Sequence, residues 1–109
     1  MAQYLLIESR DPFASRDTQF LTDAAAALQR QGNEVTVFLV QNGVFAARRG
    51  ARRTPLTELA GAGVTLLADD FSLEERGIQI TELSPGIRSA NIDALVDLLV
   101  QANTKAIWH

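Results

Sequence analysis

Residues 63–78 read GVTLLADDFSLEERGI, and this stretch decides how the whole chain is interpreted. The apolar segment 64–68 has the composition of a strand buried on both faces. Ser72 and Glu75 match a capping box, in which a hydroxyl at the N-cap is answered by a glutamate three residues later. The stretch therefore predicts a strand followed by a helix that begins at Ser72, with Asp69 and Asp70 between them.

Strand and helix patterns alternate along the rest of the chain. Strands are predicted over 3–8, 34–40 and 105–108, because these segments are short and rich in apolar or β-branched residues. Helices are predicted after Asp17, over 44–49, from Thr54 with Pro55 at its first position, and after Asn91. Gly32 is placed to end the first helix, and 83–87 is interpreted as a turn-rich connector.

Two of these helices carry apolar residues at helical spacing, which predicts a stripe that faces the core. The stripes are Phe20, Leu21, Ala24, Ala25 and Leu28 in the first helix, and Ile92, Leu95, Val96 and Leu99 in the last. Strands that alternate with helices favour right-handed crossovers and a parallel sheet covered on both sides. We expect one α/β domain over residues 1–109.

Composition excludes several classes of site. The chain has no cysteine, which excludes disulfides, thiolate metal sites and cysteine nucleophiles. A single histidine, His109, argues against a histidine-built metal centre or a Ser-His-Asp triad, and no metal or cofactor is expected. A formal charge of −3 disfavours nucleic acid. The absence of a long apolar run and of a basic leader predicts a cytoplasmic protein without a membrane partner.

Three segments resemble the DsrE/DsrF/TusD family of small sulfur-relay proteins. They are the first strand with Ser9-Arg10-Asp11, the second strand with Asn42-Gly43-Val44, and 64–78 with its closing Arg76-Gly77-Ile78. The resemblance implies a three-layer flavodoxin-like fold with a mainly parallel sheet of about five strands. It also implies homo- or hetero-oligomers and a persulfide-carrying cysteine. Counting back from Arg76-Gly77-Ile78, that cysteine falls on Asp69.

The candidate ligand pocket centres on Asp69, Asp70 and Ser72, because doubly wound sheets bind ligands outside the carboxyl ends of their strands. The positive end of the following helix dipole favours a carboxylate there as it would favour a thiolate. Three interpretations stay open for the two aspartates. They solvate a turn or cap the helix, they bind a ligand, or they act as an acid/base pair.

Ser9 and Arg10 follow the first strand, so they reach the same edge and could hold an anion, although capping and salt-bridging explain them equally. Asn42 either orients a ligand or serves the turn at Gly43. The four arginines between 48 and 53 indicate a solvated connector or a subunit contact. Trp108 is expected to anchor the last strand against the core or another subunit, and His109 to be mobile.

These observations favour a non-catalytic binding or assembly subunit that forms a homo-oligomer, a dimer, trimer or hexamer. A sulfur-relay protein is a further candidate partner. The alternative is an enzyme that acts on a small anionic substrate with the Asp69 and Asp70 carboxylates. A phosphoacceptor domain of the response-regulator type fits poorly, because Lys105 begins its predicted strand rather than ending it.

Overall fold

The structure is a computed structural model that describes residues 2–15, 18–50 and 56–109. Its strands are β1 (Gln3–Glu8), β2 (Glu34–Leu39), β3 (Thr65–Asp69), β4 (Ile87–Ala90) and β5 (Thr104–Trp108). Its α-helices are α1 (Thr18–Arg30), α2 (Leu56–Gly61), α3 (Asp70–Glu75) and α4 (Ile92–Val100). Two 3₁₀ helices cover Gln41–Ala47 and Ile80–Glu82. The caps expected at Asp17, Thr54 and Pro55 lie outside the described residues.

All strand pairings are parallel, in the order β4-β3-β2-β1-β5. Alternate residues of each strand point to opposite faces of the sheet. Leu6, Val37 and Leu66 pack with α1 and α2 on one face, whereas Leu5 and Phe38 pack with Leu95 of α4 on the other. The expected three-layer α/β fold with a parallel sheet is therefore confirmed.

Gly32 terminates helix α1, as the sequence analysis predicted. Gly32 has a φ of +89°, which an L side chain rarely adopts. Its N–H donates to the carbonyl of Gln29, and the N–H of Asn33 donates to that of Leu28. This pair of bonds is a Schellman motif, and it turns the chain directly into β2.

Three sequence predictions are wrong in detail. Strand β4 lies where a connector was expected to lead straight to the last helix, and it pairs with β3 from Ile87 to Ala90. The helix near 44 is a 3₁₀ helix that begins at Gln41. The expected stripes also face outward in part, since Phe20 is 61% exposed and Ile92 is 60% exposed.

Candidate functional site at the carboxyl edge of the sheet

Asp69 is the last residue of β3 and the N-cap of α3. Its Oδ2 accepts hydrogen bonds from the Ser72 N–H at 3.0 Å and from the Ser72 hydroxyl at 2.6 Å. The strand runs into the helix without a connecting residue, so the carboxylate meets the free N–H groups of the first turn. The expectation that Ser72 caps α3 is therefore corrected: Asp69 is the cap, and Ser72 donates to it.

Ser72 connects this cap to the neighbouring loop. Its hydroxyl oxygen accepts a hydrogen bond from the Gln41 N–H at 2.8 Å while its proton goes to Asp69. Asp69 and Ser72 are both buried. Over the described ranges, no buried polar side-chain atom is left without a partner. The carboxylate at the end of β3 is thus held through Oδ2 in a hydrogen-bond network that extends to Gln41.

Asn42 joins this network through a residue that the sequence analysis did not select as a site residue. The Arg76 guanidinium donates to Asn42 Oδ1 from Nε at 3.1 Å and from Nη2 at 3.0 Å. Its Nη1 donates to the Ser72 carbonyl at 3.2 Å. Arg76 also lies 5.9 Å from the ring centroid of Phe45, which suits a cation–π contact. The sequence signal that could have identified Arg76 as a site residue is the Arg76-Gly77-Ile78 motif.

Asp70 does not share the environment of Asp69. It is the first residue of α3 and is exposed, whereas Asp69 is buried. An acid/base dyad needs two carboxyl groups that converge on one site. The arrangement instead gives one hydrogen-bonded carboxylate and one solvated carboxylate.

Ser9 and Arg10 belong to a second polar group at the end of β1, two strand spacings or roughly 10 Å from β3. The Ser9 N–H and hydroxyl both donate to the carbonyl of His109 at 2.9 Å. The Arg10 N–H donates to Glu8 Oε2 at 3.3 Å. Of the six site residues predicted from sequence, Asp69, Ser72 and Asn42 form one group and Ser9 and Arg10 belong to another. Asp70 is exposed and belongs to neither.

Glu8 and His109 form the centre of the second group, and the sequence analysis missed both. His109 Nδ1 lies 3.0 Å from Oε1 and 2.9 Å from Oε2 of Glu8. The His109 ring also packs against that of Phe20, with centroids 6.3 Å apart. His109 was expected to be mobile, and this is wrong because its backbone continues the β5 pairing through a bond to the Ile7 carbonyl. The sequence signal that could have identified this pair is Glu8 itself, an acidic residue at the end of a largely apolar strand.

A cavity of about 380 Å³ opens beside Glu8, between the β1 end, α1 and the 3₁₀ helix Gln41–Ala47. It reaches the sheet at Val37 and Leu39 and is bounded by Leu21 and Leu56. Asp69 does not line it. Its volume falls in the range of small-molecule sites.

The arginine cluster meets the Asp69 group at Phe45, whose ring contacts both Arg48 and Arg76. Arg48 donates to the Phe45 carbonyl and stacks 5.2 Å from that ring, Arg49 is exposed, and Arg52 and Arg53 lie outside the described residues. The described residues contain no cluster of three metal-ligating side chains. None of the described helices is long and apolar enough to cross a bilayer.

A parallel sheet with helices on both faces and polar groups at its carboxyl edge defines a small doubly wound α/β protein. The family model described as "DsrH like protein" matches residues 14–105, and the chain belongs to that family. This membership confirms the resemblance to sulfur-relay proteins that the sequence indicated. The chain is thus a small sulfur-relay-related protein with no cysteine.

Solved structures agree on the fold. The YchN protein from E. coli superposes with a TM-score of 0.88 at 19% identity, over 100% of both chains. MTH1491 from Methanobacterium thermoautotrophicum, a protein of unknown function, superposes with a TM-score of 0.82 at 19% identity, over 98% of this chain and 97% of its own. No curated protein matches the chain significantly.

Proposed function

We propose that this protein is a non-catalytic assembly subunit of a sulfur-relay system in the cytoplasm. The observation that carries the proposal is the state of Asp69, the position at which the resemblance to relay proteins expects a persulfide cysteine. A carboxylate there keeps the negative charge at a helix N-terminus but supplies no sulfur nucleophile. The carboxylate is also committed to Ser72 as a structural cap.

Exposed apolar side chains on the face of the sheet that α4 covers support a role in assembly. The exposed apolar side chains of this surface, called here the α4 face, are Ile92, Val96, Leu99, Val100 and Trp108. The first four form one stripe along α4. Trp108 lies on the same side, because it pairs with Ile7, which packs in the cluster of Leu95.

The extent of the α4 face favours a second copy of the chain as its partner. Five large exposed apolar residues make a patch on the order of 500 Å², against the ~800 Å² that each partner gives to a standard interface. An apolar stripe can also pair with itself around a two-fold axis. The α4 face thus supports the proposal of a dimer, or of a trimer or hexamer built with further contacts.

A second exposed apolar pair lies near the Asp69 cap. Phe71 and Ile80 are each 63% exposed. Phe71 lies in the first turn of α3, and Ile80 lines a surface recess together with Asp70, so a cysteine-bearing relay partner near position 69 could contact them. The proposal therefore includes association with a cysteine-bearing relay protein through this edge.

Light scattering on the purified chain tests the assembly role. We expect a discrete oligomer, and we expect Val96→Asp to shift it to the monomer because a charge would be buried in the interface. Thr57→Asp, an exposed change on α2, is the matched control and should leave the oligomer unchanged. A monomeric wild type at concentrations far above micromolar contradicts the proposal.

An activity panel of small phosphate and carboxylate esters tests the non-catalytic part. We expect no turnover above background. Turnover that disappears in Asp69→Asn would contradict the proposal and favour the alternative of a carboxylate enzyme.

Thiol titration tests whether position 69 corresponds to the relay cysteine. In Asp69→Cys the new thiol would stand at a helix N-cap, where its pKa is lowered. We expect its alkylation to reach half its maximal rate at a lower pH than in Asp70→Cys. Equal midpoints in the two variants would show that position 69 does not provide that environment.

A further inference from the structure

The cavity beside Glu8 combines apolar walls with one buried charge. Its inner walls are Leu21, Val37, Leu39 and Leu56, each at most 4% exposed. Glu8 contributes a carboxylate that is itself only 4% exposed. Small-molecule sites commonly have this composition, an apolar body with a few placed polar groups.

The Glu8 carboxylate keeps hydrogen-bonding capacity beyond the contacts it makes. An ionised carboxylate offers about four acceptor sites. Two donors meet its side chain, the Arg10 N–H and His109 Nδ1. A ligand donor can therefore join them without displacing either one.

Of the two charged side chains among the described lining residues, Glu8 is buried and Arg10 is exposed. Among the described residues, the side-chain contact of Glu8 with a basic group is the one with His109 Nδ1 at 2.9 Å. Arg10 also borders the cavity, but it is exposed and solvent screens its charge. Buried charged groups are stabilised by pairing and hydrogen bonding, so a cationic donor in the cavity would be favoured beside the Glu8 carboxylate.

We propose that this cavity binds a small organic cation, an ammonium or amidinium group on an apolar body. The cationic group donates to Glu8, and the apolar body lies against the α1 and β2 side chains. The site is separate from Asp69 and from the α4 face, so it does not depend on the assembly role.

Benzylammonium, benzyl alcohol and benzoate form a matched set of probes that differ in charge at one end. Titrated into the isotope-labelled full chain, benzylammonium is expected to shift the amide resonances of Leu21, Thr22 and Leu39 in a saturable way. We expect it to bind at least about tenfold more tightly than either of the other probes, in line with a hydrogen bond to a buried charged group. No saturable binding, or benzoate binding as tightly, overturns the proposal.

Two variants locate the site. Glu8→Gln should reduce benzylammonium affinity by about tenfold while leaving benzyl alcohol unaffected. Thr22→Phe should block all three probes by filling the cavity from a half-buried position on α1, and it keeps the test decisive if Glu8→Gln does not fold. Glu34→Gln, an exposed change at the start of β2, is the control. Unchanged binding in Thr22→Phe overturns the proposal.

Discussion

The carboxyl ends of β1 and β3 each present a buried acid, and the two acids differ in what holds them. Asp69 bonds to Ser72, three residues away in the helix that follows it. Glu8 bonds to His109, which lies 101 residues away in sequence. The first acid completes a local cap, whereas the second depends on β5 having paired with β1 and faces an open cavity. A buried carboxylate is thus structural at one strand end and available at the other.

The 3₁₀ helix Gln41–Ala47 connects the two regions. Gln41 donates to Ser72 and Asn42 accepts from Arg76, so one end serves the β3 side. Gly43 packs against the carbonyl of Glu8 on the β1 side. Substitutions in the 3₁₀ helix, at Asp69 and at Glu8 therefore distinguish the two regions by how much each changes the free energy of unfolding.

The largest effect is expected from Gly43→Ala, which acts on both regions. The added Cβ would overlap the Glu8 carbonyl oxygen, and backbone cannot yield as a flexible side chain can. We expect the free energy of unfolding to fall by about 3 kcal/mol in urea titrations. Gly61→Ala is the control, because nothing lies near its Cβ position, and it should be neutral or slightly stabilising. Equal stabilities for the two variants would show that the contact at Gly43 relaxes freely.

Asp69→Ala tests the β3 side alone. It removes the cap of α3 and leaves the buried Ser72 hydroxyl without its acceptor, so we expect a loss of about 2 kcal/mol in the same titration. Asp70→Ala, one residue on and exposed, should change stability by less than about 0.5 kcal/mol. A loss of the same size in both variants would mean that general acidity at the helix start, and not the Asp69 network, stabilises α3.

The Glu8–His109 pair tests the β1 side through a double-mutant cycle of Glu8→Gln and His109→Ala. We expect a coupling energy of about 1.5 kcal/mol, the scale of a hydrogen bond to a charged group. Ser9→Ala combined with Glu8→Gln gives the comparison cycle, since Ser9 contacts the His109 carbonyl and not Glu8. Additive effects in the first cycle would remove the pair as a stabilising contact.

The smallest effect is expected from Arg76→Ala. Its bonds to Asn42 are exposed, and exposed contacts of charged groups contribute about 0.5 kcal/mol. Denaturant titration against Arg88→Ala, an exposed arginine on β4, measures the difference. A loss above about 1.5 kcal/mol would show that the contacts with Ser72 and Phe45 order the whole β3 side.

The helices and strands show how far sequence patterns reach. Strands β1, β2, β3 and β5 were predicted because each is a short apolar or β-branched run. Strand β4 was missed because Ile87–Ala90 holds only four residues with an exposed Arg88 among them, so its strand geometry comes from pairing with β3. Local strand propensity does not reveal that a segment as short as β4 will pair with a neighbouring strand.

Helix α4 shows a second limit. Periodicity predicted that Ile92, Leu95, Val96 and Leu99 form one stripe facing the core. Of these, Leu95 is buried, whereas Ile92, Val96 and Leu99 are exposed. Apolar residues occupy most of the circumference of this helix, so the sequence does not define its rotation about its axis. The contact with Leu5, Ile7 and Phe38 decides that rotation.

The sequence by itself determined the parallel α/β architecture, the position of an acid at the end of the third strand, and the absence of any thiol chemistry. These follow from local patterns and from composition. Only the tertiary structure decided that Asp69 is a cap, that Glu8 meets His109, and that a cavity opens between them and α1. Glu8 and His109 are 101 residues apart and meet because β5 pairs with β1. The Asp69 cap is local, but Ser72 within it is also bound by Gln41, 31 residues away.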